Sequence, residues 1–248
     1  MKLLLKILKI LLLIIICLGA IFFITKLVVD EKLPEGKEGL KAELIAMKML
    51  KAINHKAWKK TESVRWNFAD RHQLLWDKKR NLAKVEWGGN TVFVNLSTQK
   101  GYALVEGKEV EDQKLVDKAY AWWANDSYWL NPISKIYDAG VTRKLVESED
   151  GKKSLLVTYS SGGVTPGDSY LWHLGDDGLP TEWQMWVKII PFKGMPATWE
   201  NWKESETGVK YASKHKLGPL TTEITDVEMT FDLMEWFDAD PFGNLMKE

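Results

Sequence analysis

Short segments of strict apolar and polar alternation, each closed by a polar turn, constrain this chain more than any other feature. Val64, Trp66 and Phe68 face one way while Ser63, Arg65 and Asn67 face the other, which is the period of a half-buried strand. Ala83, Val85 and Trp87 share a face, Gly88-Gly89-Asn90 turns the chain, and Val92, Val94 and Leu96 continue it. Tyr102 and Leu104 lead to a turn at Glu106-Gly107-Lys108. Later, Glu149-Asp150-Gly151 separates Leu145 from Leu155, Val157 and Tyr159, and Gly175-Asp176-Asp177-Gly178 separates Trp172 from Trp183, Met185 and Val187. Ser205-Glu206-Thr207-Gly208 joins Trp199 and Trp202 to Val209 and Tyr211, and Thr225, Val227, Met229 and Phe231 form the last alternating set. Turns at this spacing predict an antiparallel sandwich or barrel and argue against a parallel sheet.

Two segments break the strand period. From Leu40, the apolar residues Leu44, Met47, Leu50, Ile53 and Ala57 recur at three- and four-residue steps, which predicts a helix laying that face on something apolar. Glu111 to Trp123 has helical spacing in two rows, Leu115, Ala119 and Trp122 beside Val116, Tyr120 and Trp123, and Pro132 stops any continuation. The order is therefore helix, strands, helical insert, strands.

The N-terminus reads as an address. Lys2, Lys6 and Lys9 precede an uninterrupted apolar stretch from Ile10 to Ile24, and Thr25 and Lys26 are followed by Leu27, Val28 and Val29. The run is longer than most signal-peptide cores and short of the ~20 apolar residues a spanning helix prefers, a gap that lysines snorkelling at both ends can close. Cys17-Leu18-Gly19-Ala20 lacks the small residue a cleavage site needs, and Ile16 stands where a lipid-attachment cysteine expects a small neighbour. The reading is residues 1–35 as an anchor with its linker, crossing the membrane through residues 10–25, and residues 36–248 as one domain. A cleaved signal, releasing that domain into the periplasm, is the alternative. The lysine bias sends the body outward in either case.

Charge and cysteine usage narrow the partners. Four of the 34 basic residues lie in that acid-free leader, leaving 30 against 34 acids, a net charge of −4 for the body. A mildly acidic surface with no basic block excludes nucleic acid, whose phosphates need clustered Lys and Arg. The single cysteine, Cys17, lies inside the apolar run, so the body holds neither disulfide nor thiolate metal site.

The element order, with Ala121-Trp122-Trp123-Ala124-Asn125-Asp126-Ser127-Tyr128-Trp129-Leu130 closing the helical insert, resembles the LolA-like superfamily of periplasmic outer-membrane lipoprotein carriers. More closely, it looks like uncharacterised bacterial relatives that share a W-[WF]-x-N-D-x-[YF]-W-L type segment. The resemblance spans roughly residues 38 to 235. It implies an α+β fold: a curved antiparallel half-barrel, an incomplete β-barrel with helices covering the open side, over an apolar cavity that can receive acyl chains.

Such a barrel must fill its interior with large side chains or hold a ligand there. The chain carries 13 tryptophans, and Trp66, Trp87, Trp172, Trp183, Trp186 and Trp199 are the lining candidates. Trp129 joins them from the shared segment. Each indole covers ~150–250 Å² of apolar surface while its N–H seeks a polar partner. The alternatives are ordinary core packing and sugar stacking on exposed rings. Asn125 and Asp126 either meet a polar headgroup at the cavity mouth or cap a turn between two helices.

Catalytic templates fit poorly. Gly162 and Gly167 have phosphate-loop spacing, but Asp168 stands where lysine would meet the anion. Ser160-Ser161-Gly162-Gly163 lacks the G-x-S-x-G elbow, and His55, His72, His173 and His215 are scattered without a zinc-binding pair. Asp176-Asp177 and Asp238-x-Asp240 read as a solvated turn and a flexible tail. The expectation is a non-catalytic, membrane-tethered, extracytoplasmic binder of a lipid or other amphiphile, with no cofactor and no metal. An envelope scaffold binding a protein partner is the second reading. A hydrolase, requiring Asp168, His173 or Asp176 to converge, is the third.

Overall fold

The computed structural model describes residues 2–161 and 165–245. It opens with α1 (Lys2–Val29), whose 24-residue stretch Lys6–Val29 contains an 18-residue window with a mean hydropathy of 3.1 and no buried part. At 1.5 Å per residue such a helix is ~36 Å long, sufficient for the ~30 Å of a hydrocarbon core. The helix thus extends past the purely apolar stretch at both ends, taking in Lys6, Lys9 and Lys26.

Fourteen strands, all paired antiparallel, form two sheets. β1 (Ser63–Phe68), β2 (His72–Asp77), β3 (Leu82–Trp87), β4 (Asn90–Asn95), β5 (Lys100–Val105) and β6 (Lys108–Val110) run as a meander. β14 (Leu220–Thr230), β13 (Lys210–Leu217) and β12 (Glu200–Glu204) extend it beyond β1, giving nine strands. The smaller sheet has the order β11-β10-β9-β8-β7, from β7 (Val141–Glu147), β8 (Lys153–Tyr159), β9 (Ser169–Leu174), β10 (Pro180–Trp186) and β11 (Met195–Thr198). Only Trp199 separates β11 from β12, so the chain steps directly from one sheet into the other. Lys216 N donates to Thr198 Oγ1 at 3.0 Å and His215 Nδ1 lies 3.1 Å from the Thr198 carbonyl, pinning β13 to that step. The result is a curved wall that does not close.

The open side is covered by α4 (Gln113–Leu130), which enters after β6 and leaves through a 3-10 turn at Pro132–Lys135 before β7. Asp112 caps it by accepting from Lys114 N at 2.9 Å. The helix is unbroken for 18 residues, so Asn125 and Asp126 lie in its interior and do not cap a turn between two helices. Asn131, not Asn125, caps the turn that follows, accepting from Ser134 N. Burial pushes the Asp126 carboxyl above its ordinary range, and His72, 2.7 Å away on β2, offsets part of that penalty.

α2 (Leu40–Ala52) and α3 (His55–Lys60) cover the smaller sheet and the start of β1. The expected inward face of α2 holds only at its C-terminal end. Ile53 is buried and Leu50 packs against the core, but the rest of the buried row is Ala42, Ala46 and Met49, whereas Leu40, Leu44 and Met47 are exposed. Two alanines one turn apart let the helix backbone lie close to the sheet, which outweighs the larger leucines as a reason to turn inward. Asn54, in the left-handed region at φ 55°, breaks the helix, so Ala57 belongs to a separate one.

Three apolar layers result. Val64, Trp66, Leu74, Val85, Val92 and Val94 face Val116, Ala119 and Leu130 of α4. Leu155, Val157, Trp172, Trp183, Met185 and Trp199 meet Ala42, Ala46 and Met49 of α2. On the outer side of the large sheet, Leu75, Leu82 and Phe93 are covered by Leu233, Phe242 and Leu245. The C-terminal segment is therefore packed and not a loose tail: Asp240 takes both guanidinium ends of Arg80 at 2.6 and 2.8 Å, and Phe242 is wholly buried. In β14 a bulge opposite Trp66, where Asp226 adopts φ 51°, turns Ile224 inward instead of Thr225, and Phe231 falls beyond the strand.

Candidate ligand-binding cavity

One surface of α4 is thinly clad. Ala121, Ala124 and Asn125, spaced at helical intervals with Tyr128, leave a gap between this face and the curved wall. The space is a cavity of about 610 Å³, within the ~300–1,000 Å³ usual for small-molecule sites. Part of its lining is aromatic: Trp58 and Trp76 sit with ring centroids 5.9 Å apart, and Trp76 meets Trp123 edge-on at 5.2 Å. Tyr128, Tyr159, Tyr170 and Trp183 form a second aromatic group in the wall, with Tyr128 stacked on Trp183 at 5.8 Å. Met185, Val187, Ile189 and Ile190, at and beyond the end of β10, add aliphatic lining.

Some of the polar atoms in this wall are unpaired. Trp76 Nε1, Trp123 Nε1, Trp183 Nε1 and Asn131 Nδ2 are buried N–H donors without a protein acceptor. The hydroxyls of Tyr128, Tyr159 and Tyr170 cluster in the same wall and interact with one another. Burial pushes all three phenols well above their ordinary range, so they are neutral and able to donate at physiological pH. Buried donors without partners are rare in native structures, since each costs ~1–3 kcal/mol. Four of them, the indoles of Trp76, Trp123 and Trp183 and the Asn131 amide, border this one apolar space and suit a guest with an apolar body and acceptor oxygens, while the Trp66, Trp172 and Trp199 N–H groups are unpaired in the surrounding core. Charged groups bordering the space are already engaged: Lys135 pairs with Asp138 at 2.6 Å, and Asp168 accepts from Lys188 N at 3.0 Å and from the Thr165 hydroxyl.

The nine candidate residues separate. Trp129, Trp183 and Asn125 border the cavity. Trp172 and Trp199 are buried behind Trp183, with ring centroids 4.8 and 5.0 Å from it. Trp66 is buried in the layer beneath α4. Trp87 meets Trp122 edge-on at 4.5 Å, at the far end of β3. Trp186 lies on another side altogether, its Nε1 donating to the Glu31 carbonyl at 2.8 Å. Asp126 faces the sheet, bound by His72 and by Asn125 Nδ2 at 2.9 Å, while His72 stacks on Trp122 at 3.9 Å. Trp58, Trp76, Trp123, Tyr128, Tyr159 and Asn131 were not among the candidates. Tyr128 stood inside the segment that carried the family resemblance, and Tyr159 ended a recognised alternation, but only the fold brings them together.

Asp168, His173 and Asp176 do not converge. Asp168 precedes β9, Asp176 follows it, and His173 Nδ1 is occupied by Ser154 Oγ at 2.9 Å. Gly162 and Gly163 lie outside the described residues, while Ser160 and Ser161 donate to the carbonyls of Gly140 and Ala139. Among the described residues, no three His, Cys, Asp or Glu side chains gather as metal ligands.

No family model and no curated protein matches the chain. Among solved structures it is similar to a DUF1329 family protein from Desulfovibrio piger, at 9% identity over 77% of this chain and 94% of that one, with a TM-score of 0.46. It is also similar to a putative outer membrane lipoprotein-sorting protein domain from Vibrio parahaemolyticus, at 8% identity over 82% of this chain and 100% of the other, with a TM-score of 0.33.

Proposed function

We propose that this protein is a membrane-tethered, extracytoplasmic binder of a lipid or other amphiphile, acting without catalysis. α1 is the anchor, and residues 36–248 form the binding domain on the periplasmic side. The observation that carries the reading is the cavity beside α4, lined largely by aromatic and aliphatic side chains and edged by four buried N–H donors that lack acceptors. Acyl carbons entering it gain ~0.8 kcal/mol per CH₂ from leaving water. Ester, carboxylate or phosphate oxygens would satisfy the waiting N–H groups, which sets selectivity. Native mass spectrometry of the full chain after gentle extraction tests this: a lipid-sized adduct is expected, and a protein that neither carries nor takes up lipid contradicts it.

A scaffold role has one observation in its favour. Leu40, Leu44 and Met47 form an exposed apolar stripe on α2, suited to an envelope protein partner. If Leu44→Glu abolishes co-purification of a partner while lipid content is unchanged, that role is the one to keep.

A further inference from the structure

The sequence Lys188-Ile189-Ile190-Pro191-Phe192-Lys193 places four apolar residues between two lysines in the connection from β10 to β11. Ile189 is 72% exposed and Pro191 is exposed, an arrangement unfavourable in water for a loop of this composition. The loop does not stand free of α1. Phe192 lies against Phe22 with ring centroids 5.6 Å apart, and Lys26 Nζ donates to the Pro191 carbonyl. Just past the helix, Lys193 N donates to Asp30 Oδ1 at 2.9 Å, and Glu31 N donates to the Lys193 carbonyl at 3.1 Å. Gln184 and Trp186 grip Glu31 from the neighbouring strand, with Trp186 placed where membrane proteins favour an interfacial indole.

These contacts fix a depth. Phe22 lies one helical turn inside Lys26 and seven residues before Val29, ~10 Å along the axis from the end of α1. A ring packed against Phe22 is therefore level with the apolar span, not with the linker. Lys188 is exposed at one edge of the apolar tetrapeptide, and at the other Lys193 turns its ammonium back onto the Val187 carbonyl at 2.6 Å, tying the loop's two ends together. The same loop borders the cavity, because Ile189 and Ile190 line it.

We infer that the loop 188–193 dips into the bilayer that α1 crosses and opens the cavity directly onto its acyl region. A chain could then pass from the leaflet along Ile189, Ile190 and Val187 to the tyrosines without crossing water. The inference rests on the proposed anchoring and lipid binding, and it identifies the guest as a component of the surrounding membrane rather than a solute from the periplasm.

Depth measurement by spin labelling tests it on the full-length protein in vesicles of phosphatidylethanolamine and phosphatidylglycerol. In a Cys17→Ala background, one nitroxide is placed by Ile189→Cys and a reference one by Asp176→Cys, in the turn at the opposite end of β10. That turn is ~24 Å from the loop at strand rise. The expected result is a several-fold higher ratio of oxygen to aqueous nickel-chelate collisions at 189 than at 176. Equal ratios at the two positions would overturn the inference, even if the protein still carries lipid. Immersion of position 189 in a protein that never holds lipid would support the insertion and reject the binding reading instead.

Discussion

Trp172 and Trp199 pack ring to ring, with centroids 5.3 Å apart, and are sealed from solvent beneath α2. Trp76, Trp123, Tyr128 and Tyr159 are just as aromatic but border empty space, and Trp183 stands between the two groups. The two regions do not differ in ring content. They differ in what stands opposite: the first faces Met49, Ile133 and the neighbouring indoles, the second faces Ala121, Ala124 and Asn125 on α4. Tryptophan count thus measures neither core nor cavity. The size of the opposing side chain decides, because interiors are packed to near-crystalline density wherever side chains can reach.

The sharpest way to break the comparison is to truncate on the solid side. Trp172→Ala is expected to lower stability by ~3–5 kcal/mol in denaturant titration, and a loss below about 1 kcal/mol would mean that region is hollow too. Acid should act on the same side. His215, buried against Trp199 at 4.4 Å and Trp129 at 5.1 Å, has its pKa lowered to about 4 by burial. The unfolded chain takes a proton near 6.5 while the folded imidazole resists until about 4. Stability is therefore full above that upper value and falls as pH drops between the two, by on the order of 3 kcal/mol. His215→Leu should flatten the melting temperature across this window, and an unchanged acid slope would remove His215 as its source.

Smaller effects belong to the hollow side. Asp126→Ala strips His72 of its partner and should cost ~1–3 kcal/mol by loosening α4 from β2, read by hydrogen exchange along the helix. Tyr128→Phe removes a hydroxyl that borders the cavity beside those of Tyr159 and Tyr170. Its stability should stay within ~0.5 kcal/mol of the parent while lipid occupancy falls. A large destabilisation would show that the hydroxyl is bonded internally and is not held for a guest.

How far the amino-acid order discloses this molecule follows the same division. Strands with one wet face, such as β1 and β3, were readable because alternation records a single buried side. β2 was not, since Leu74 faces α4 and Leu75 faces the C-terminal segment, and burial on both sides erases the period. The outer layer made by Leu233 and Phe242 was hidden for a related reason: irregular chain carries no period at all. α4 was read too short because Asn125, Asp126 and Ser127 resemble a terminus, although His72, distant in sequence, satisfies the aspartate. The cavity was legible only as a need for large or ligand-filled volume. Which rings meet it depends on α4's small residues and on the loop after β10, and neither is marked by ring type.

The most direct measurement is the lipid content of the purified full-length chain compared with Ala124→Trp, which fills the gap beside α4 from a half-buried position. A bound amphiphile in the parent and its loss in a variant that remains folded is the expected result. A parent without lipid, or a variant that retains the same load, would contradict the account.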